Sequence, residues 1–200
     1  MQPVTRADIP SLEGYLAHRD DIRRSMIALR NRRRVALGEL VSLAFENRET
    51  VAYQICEMMR IEHITDPVKL GEEILTYNDL IPKERELSAT VFIEVPDPSQ
   101  VRGVLNRLVG VDEHLTLYVD GIAVTGESEP GRSTEEKTAS VHYVKFALPE
   151  EARDRLGAAA RGGRDVVVEL ASDHPRYRRQ TVLTAEQVAE LARDVVGDTL

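Results

Sequence analysis

Apolar side chains in the first part of the chain recur at helical spacing, apart from one almost uninterrupted apolar run. Residues 9–30 carry apolar side chains three and four positions apart, which predicts one long helix or two collinear helices. The apolar run at 35–45 predicts a strand or a pair of strands, with Gly38 at a bend or bulge. Two more helices are predicted over residues 47–63 and 66–80, and the short break between them favours an antiparallel pair.

The second half of the chain alternates strands and helices irregularly. In the clearest strand, 87–95, the odd-numbered side chains are the more uniformly apolar, so this face is expected to meet the core. The polar stretch 127–137 is expected to form a mobile hairpin tip or loop, and Gly162-Gly163 is expected to end a helix. Further strands are predicted at 114–119, 122–126, 139–146 and 165–170, and further helices at 98–109, 149–160 and 185–196.

This order of elements favours an α+β fold, in which a mainly helical N-terminal portion packs on a mixed or antiparallel sheet with helices of its own. The mainly helical portion, with its short strand region, spans residues 1–82, and the α+β portion spans residues 83–200. A chain of 200 residues is long enough for one large domain or two small ones. We expect the two portions to form one compact unit.

The composition is that of a water-soluble protein, with 42% hydrophobic and 30% charged residues. A net charge of −8 argues against binding to nucleic acid or to an anionic membrane, because both reward an excess of Lys and Arg. The first twenty residues contain no apolar run of the kind found in signal peptides, and no stretch approaches the length of a membrane span. We therefore expect a cytoplasmic protein without a nucleic-acid partner.

The sequence lacks the short motifs that would identify a chemistry. It contains no P-loop, dinucleotide-binding fingerprint, CxxC pair or HExxH motif. Cys56 is the only cysteine, which excludes a disulfide within one chain and predicts a small core residue. Candidate functional residues must therefore be found from their positions on the predicted elements.

The helix over residues 47–63 carries the charged side chains that most need an explanation. Glu57 lies on its polar face, with Tyr53 and Arg60 close enough for a hydrogen bond and an ion pair. Glu62 falls near the middle of the apolar stripe unless the helix ends before it. One interpretation is a solvated surface pair followed by a frayed last turn. The alternative is a metal or acid–base site completed from the second half of the chain.

Two histidines are the candidates to complete such a metal site. His142 lies in a predicted strand, and His174 lies in an Asp-His-Pro sequence that is typical of a turn. With Glu57 and Glu62 they would form a His/carboxylate set for a mononuclear metal ion. Two observations argue against it: the glutamates are five residues apart and do not share one helix face, and a histidine on an apolar strand face is more often a core residue.

Residues 30–34, Arg-Asn-Arg-Arg-Arg, form a basic cluster in an otherwise acidic chain. Arg32 and Arg34 are therefore candidates for docking an acidic partner or a phosphate. Ordinary surface charge explains the cluster equally well.

Five short blocks of the sequence are distinctive when taken together. They are Arg32-Arg-Arg-Val-Ala-Leu-Gly, Phe45-Glu-Asn-Arg-Glu-Thr-Val, Tyr53-Gln-Ile-Cys-Glu-Met-Met-Arg-Ile-Glu, Tyr77-Asn-Asp-Leu-Ile-Pro and Glu86-Leu-Ser-Ala-Thr. In these blocks the chain resembles an uncharacterised bacterial family, a domain of unknown function, whose members are commonly encoded beside rubrerythrin and a heterodisulfide-reductase-like iron-sulfur oxidoreductase. The resemblance implies a setting in oxidative stress, peroxide handling or electron transfer, with those two proteins as partners.

The resemblance also implies which residues to consider, although it assigns no role to them. The candidates at the matching positions are Arg48, Glu49, Gln54, Glu57, Arg60, Glu62, Tyr77, Asn78, Glu86, Ser88 and Thr90. The chain has no flavin, haem or iron-sulfur motif of its own, so a redox group would be a mononuclear metal ion or would belong to a partner.

Three functions remain open at this point. The first is a non-catalytic accessory protein that docks a redox partner through residues 30–34 and a polar groove around Glu57, Arg60 and Tyr77. The second is a mononuclear metal-binding redox factor or enzyme.

The third function is a small-molecule sensor with a pocket between the helical portion and the sheet. Asn78, Ser88 and Thr90 would supply neutral hydrogen-bonding groups there. The long apolar stripe near the N-terminus allows a homodimer, and a core within one chain explains it equally well.

Overall fold

The fold is built on an antiparallel sheet of eight strands that is covered by helices. The computed structural model describes residues 1–128, 133–134, 137–161 and 165–196. The helices are α1 (Leu12–Arg33), α2 (Arg48–Ile61), α3 (Pro67–Asn78), α4 (Val101–Arg107), α5 (Glu150–Ala160) and α6 (Ala185–Val196). The strands are β1 (Arg34–Leu37), β2 (Val41–Glu46), β3 (Glu86–Ile93), β4 (Leu115–Val119), β5 (Ile122–Ser128), β6 (Ser133–Thr134), β7 (Lys137–Thr138), β8 (Val141–Ala147), β9 (Val168–His174) and β10 (Tyr177–Val182).

The eight-stranded sheet runs in the order β1-β2-β3-β8-β5-β4-β9-β10, and every neighbouring pair is antiparallel. It curls until its two edge strands meet at Tyr177. The Tyr177 hydroxyl donates a hydrogen bond to the carbonyl of Leu37 at 2.6 Å and accepts one from the amide of Leu40 at 3.1 Å. Gly38, with φ +75°, makes room for this contact, since a Cβ there would lie 2.7 Å from the tyrosine oxygen.

The inner face of this curled sheet carries the main hydrophobic core. Alternate residues point inward, as the odd-numbered apolar residues of the strand at 87–95 predict. Leu87, Ala89, Val91 and Ile93 are all buried there, and the same core includes apolar side chains of α5 and α6. The predicted core face of β3 is therefore confirmed.

The outer face of β2 and β3 is also covered, and it carries four polar side chains beside Ala44 and Phe92. Ser42, Glu46, Ser88 and Thr90 are each no more than 5% exposed. A second hydrophobic cluster forms beside this face from the N-terminal segment, α1, α2 and α3, and Cys56 is buried in it as predicted. Buried polar groups next to an apolar cluster must find hydrogen-bonding partners, so this face is where a site is expected.

The predicted α+β class is confirmed, and so is the antiparallel alternative for the sheet. Helix α1 starts at Leu12, three residues later than predicted, because Thr5 and Asp8 cap a separate 3-10 turn. Residues 35–45 form a strand pair, and Asn47 caps α2 through a hydrogen bond from the Thr50 amide.

The end of the chain differs most from the prediction. The strand predicted at 165–170 begins at Val168 and continues to His174, and strand β10 was missed. Asp-His-Pro does mark a turn, since His174 pairs with Tyr177 across it. The sequence does not predict β10 because Tyr177 is its only buried residue, so the strand shows no alternation of apolar and polar side chains. Parts of the predicted loop at 127–137, and both glycines predicted to end α5, lie outside the described residues.

None of the helices in the described residues has the length and apolar character needed to cross a membrane. Even α1, the longest at 22 residues, carries charged side chains along its length.

Replacing Tyr177 with Phe is expected to lower the free energy of unfolding by about 1–3 kcal/mol. The change removes one hydroxyl and leaves a buried carbonyl and an amide without their partner at the junction of the sheet edges. Urea unfolding measures the effect, and Tyr118→Phe on the half-buried face of β4 is the matched control. Equal stability of the two variants would contradict this role for Tyr177.

Candidate functional site

A cavity of about 360 Å³ opens between the helices and the outer face of the sheet. We call it the helix–sheet cavity. Its walls come from α1, α2, α3, β2, β3 and β8, so it lies where the N-terminal helices meet the sheet. The lining residues are Arg30, Glu46, Tyr53, Gln54, Glu57, Met58, Tyr77, Thr90, Phe92, Val141 and Tyr143.

Glu46 is the most unusual of these lining residues, because it is a carboxylate that is only 2% exposed. Its Oε2 accepts hydrogen bonds from the Thr50 hydroxyl at 2.5 Å and from the Gln54 amide at 2.9 Å. Its Oε1 accepts one from the Thr90 hydroxyl at 2.6 Å. All three donors are neutral, so they orient the carboxylate without balancing its charge.

Local sequence explains how this carboxylate is held. Glu46 ends β2 on the polar outer face, and only Asn47 separates it from α2. The helix therefore begins beside the carboxylate and brings Thr50 and Gln54 back to it from the first two turns. In β3, Thr90 lies on the same outer face, where it pairs in register with Ala44 and Tyr143. A strand and a helix N-terminus thus converge on one side chain.

The sequence points to Gln54 and Thr90 but not to the carboxylate of Glu46, to which both donate. The alternation of β2 contained a usable signal, because Glu46 and Ser42 share the face opposite Leu43 and Phe45. In sequence, a glutamate directly before a helix cap resembles an ordinary exposed residue.

Glu57, the central candidate on α2, belongs to a charged cluster at the rim of the helix–sheet cavity. Arg19 of α1 contacts both of its carboxylate oxygens, at 2.7 and 2.9 Å, and Tyr15 donates a hydrogen bond at 2.5 Å. The predicted ion pair with Arg60 is confirmed at 3.0 Å. The hydrogen bond from Arg19, supported by those from Tyr15 and Arg60, lowers the pKa of Glu57 to about 2. Glu57 is therefore an ionised carboxylate whose charge is already matched.

Three tyrosines line the helix–sheet cavity, Tyr53 from α2, Tyr77 from α3 and Tyr143 from β8. Burial raises the pKa of Tyr77, and the neighbouring Tyr143 adds to the effect. The Tyr77 phenol stays protonated at neutral pH and keeps a hydroxyl that can donate to a ligand. The cavity wall is thus aromatic and rich in hydrogen-bonding groups.

Most arginines of the basic cluster at residues 30–34 form ion pairs with carboxylates of the same chain. Arg32 donates to Glu190 of α6 at 2.8 Å. Arg34 binds Glu94 at 2.8 Å and stacks over Phe92. Docking of an acidic partner through Arg32 and Arg34 would have to compete with these internal ion pairs.

Arg33, between them, is 1% exposed and donates to the carbonyls of Phe45 and Glu46 as well as to Asp194 of α6. A cluster that looks like surface charge in the sequence is therefore mostly a set of structural ion pairs.

Several other predicted residues serve the fold and are not among those that line the helix–sheet cavity. Arg48 pairs with Asp8 at 2.7 Å, and Glu49 is exposed in the first turn of α2. Asn78 holds the N-terminal segment, since its side chain binds both the amide and the carbonyl of Val4. Ser88 is buried directly opposite Glu46 in the sheet register but does not line the cavity.

The four predicted metal ligands are held in separate environments. Glu62 is exposed at the end of α2, which stops at Ile61 as the solvated alternative requires. His142 is buried on the inner face of the sheet beside Asp112. His174 binds the carbonyl of Val109 at 3.0 Å.

Within the described ranges, no group of three or more His, Cys, Asp and Glu side chains is arranged to hold a metal ion. The four candidates therefore do not meet in one metal-binding group, and the metal-site hypothesis gains no support from their positions.

A larger cavity of about 570 Å³ lies on the outer side of β4, β9 and β10. Its charged wall consists of Arg178, Arg179 and Asp173, which are all exposed. Exposed charges are well solvated and need no ligand. The helix–sheet cavity is the stronger candidate site because it contains a buried charge.

The stability of the protein is expected to fall as the pH drops from about 4.5 toward 2. Glu57 has a lowered pKa in the folded state, so its contribution is present above its usual pKa of 4.5 and is lost as the folded-state carboxylate is protonated near pH 2. Glu57→Gln should reduce this acid dependence and cost about 1 kcal/mol at pH 7, a value that allows for solvent screening.

Thermal unfolding measured between pH 2 and 7 tests the expectation. Glu13→Gln, an exposed glutamate of α1, is the control that should keep the dependence seen in the unmodified protein. An unchanged pH profile in Glu57→Gln would show that the cluster does not shift this carboxyl group.

Comparison with known proteins gives a family and a solved structure. No curated protein matches the chain. A crystal structure described as a novel protein of unknown function from Burkholderia pseudomallei K96243 matches 97% of this chain and 100% of its own, with 32% sequence identity and a TM-score of 0.89. Residues 3–195 match the family described as protein of unknown function (DUF3501). With almost its whole length matched, the chain belongs to the DUF3501 family.

Proposed function

We propose that the protein is a non-catalytic accessory protein that binds a small molecule in the helix–sheet cavity. The observation that carries this proposal is the buried carboxylate of Glu46, held by three neutral donors against a cavity of ligand size. Ligand cavities combine apolar walls with a few fixed polar groups, and Phe92, Met58 and Val141 supply the apolar part here.

Four residues that were already candidates in the sequence support the helix–sheet cavity as the binding site. Gln54, Glu57, Tyr77 and Thr90 come from α2, α3 and β3, and all four line the helix–sheet cavity. Gln54 and Thr90 already donate to Glu46 but keep acceptor oxygens. The Glu57 carboxylate and the Tyr77 phenol add further groups suited to recognition by hydrogen bonds. The proposed role therefore follows the small-molecule sensor interpretation for the site itself.

The cellular setting in this proposal comes from the family resemblance. We place the protein in a rubrerythrin-linked system of peroxide handling or electron transfer, where ligand binding would report on the state of that system. Docking to rubrerythrin or to the iron-sulfur oxidoreductase has less physical support at residues 30–34, because Arg32 and Arg34 are engaged by carboxylates of the same chain. Binding in the helix–sheet cavity does not require those side chains.

A thermal-shift screen with a metabolite library tests the function. We expect stabilising compounds in the unmodified protein, and we expect Val141→Trp to abolish their effect because the larger side chain fills the helix–sheet cavity from β8. Val182→Trp, at a 60% exposed position of β10, is the control that should keep the response.

Two results would contradict the proposal. One is a library that stabilises neither the unmodified protein nor the control. The other is a set of stabilising compounds whose effect survives in Val141→Trp, provided circular dichroism shows that this variant is folded.

A further inference from the structure

The helix–sheet cavity contains one negative charge that no described residue balances. Glu46 is 98% buried, and its three hydrogen bonds come from two hydroxyls and one amide. No Lys, Arg or His side chain in the described part of the chain forms an ion pair with it. A buried ion without a counter-ion is costly, so the site favours an incoming positive group.

The carboxylate also keeps hydrogen-bonding capacity for that group. An ionised carboxylate offers about four acceptor positions, two on each oxygen. Oε2 uses two of them for Thr50 and Gln54, whereas Oε1 uses one for Thr90. One acceptor position on Oε1 therefore has no donor among the described residues and can take one from a ligand.

A positive charge also lines the same cavity. Arg30 is half-buried near the end of α1 and lines the cavity. Within the described ranges it makes no ion pair, unlike the three arginines at positions 32–34.

The second carboxylate of the cavity wall, Glu57, already has two counter-ions, Arg19 and Arg60. The cavity therefore presents one unmatched negative and one unmatched positive group.

Each of these charges selects against a ligand with a single charge. A simple cation would be attracted to Glu46 and repelled by Arg30, and a simple anion would experience the reverse. A molecule with an ammonium and a carboxylate satisfies both. The same wall also offers Phe92, Met58 and Val141, whose apolar side chains suit a short alkyl chain.

We propose that the ligand of the helix–sheet cavity is a small zwitterion of the amino-acid class, with its ammonium group on Glu46 and its carboxylate on Arg30. This inference rests on the proposed function and specifies its ligand. The aromatic rings of Tyr53 and Tyr77 line the same cavity, and aromatic faces attract ammonium groups.

Calorimetric titration with ω-amino acids from 4-aminobutanoate to 6-aminohexanoate tests the inference. For each length the controls are the alkylamine and the alkanoate, which carry only one of the two charges. We expect one of the ω-amino acids to bind about ten-fold or more tightly than both of its single-charge controls. The best length then reports the separation of Glu46 and Arg30.

Two variants assign the charges to their residues. Glu46→Gln keeps the shape of the side chain and removes its charge, so it should weaken the ω-amino acid about ten-fold and leave the alkanoate unweakened. Arg30→Gln, on the half-buried surface of α1, should weaken the ω-amino acid and leave the alkylamine unweakened. Melting temperatures of both variants establish that they are folded, and if Glu46→Gln does not fold, Arg30→Gln decides alone.

The outcomes separate this inference from the proposed function. The zwitterion proposal is wrong if single-charge and zwitterionic compounds bind with equal affinity. It is also wrong if Arg30→Gln has no effect on ω-amino acid binding. If library compounds bind in a Val141→Trp-sensitive manner while no ω-amino acid does, the zwitterion is wrong and the proposed function stands. If no compound of any charge binds, both are wrong.

Discussion

The buried guanidinium of Arg33 is the contact on which the candidate site depends. It ends α1, donates to the backbone carbonyls of Phe45 and Glu46 at 2.8 and 3.2 Å, and pairs with Asp194 of α6. A buried cation is tolerated only when carboxylates and carbonyls surround it, so α1, the β2–α2 junction and α6 must come together. That assembly fixes the backbone of Glu46 and directs its side chain to the outer face of the sheet.

The two faces of the curled sheet have different roles because strand residues alternate. Along β3, the inward residues Leu87, Ala89 and Val91 build the core, while Ser88 and Thr90 point outward under the N-terminal helices. Apolar residues at these outward positions would give an ordinary helix–sheet interface. Instead Thr90, together with Glu46, lines a cavity with fixed hydrogen-bonding groups, so the fold itself supplies the recognition chemistry.

Local patterns predicted the elements well, because helix periodicity, caps and strand alternation act over a few residues. Asn47 capping α2 and the inward face of β3 are examples. Strand β10 was missed because an exposed edge strand shows almost no apolar alternation, and Tyr177 alone carries its packing. The antiparallel sheet was left as one of two alternatives because strand pairing depends on contacts between distant residues.

The site was predictable only in part, for the same reason. Glu57, Gln54, Tyr77 and Thr90 were suggested by position and resemblance, but their meeting at one cavity depends on tertiary packing. The partners of Glu57 on α1 lie 38 and 42 residues earlier, and those of Arg32 and Arg33 on α6 lie about 160 residues later. Charged residues that the sequence would place on the surface, such as Arg19 and Arg33, form ion pairs between helices. Glu46, which has no distinctive sequence context, is the buried carboxylate of the site.

The most direct test of this account is an NMR titration that follows the methyl groups of the four methionines. Met58 lines the helix–sheet cavity, whereas its neighbour Met59 is 1% exposed in the second hydrophobic cluster. With the ω-amino acid series as the probe, the account predicts a saturable shift of the Met58 methyl signal and much smaller changes at Met1, Met26 and Met59. A Met58 signal that stays in place, or four signals that move alike, would contradict binding in the cavity.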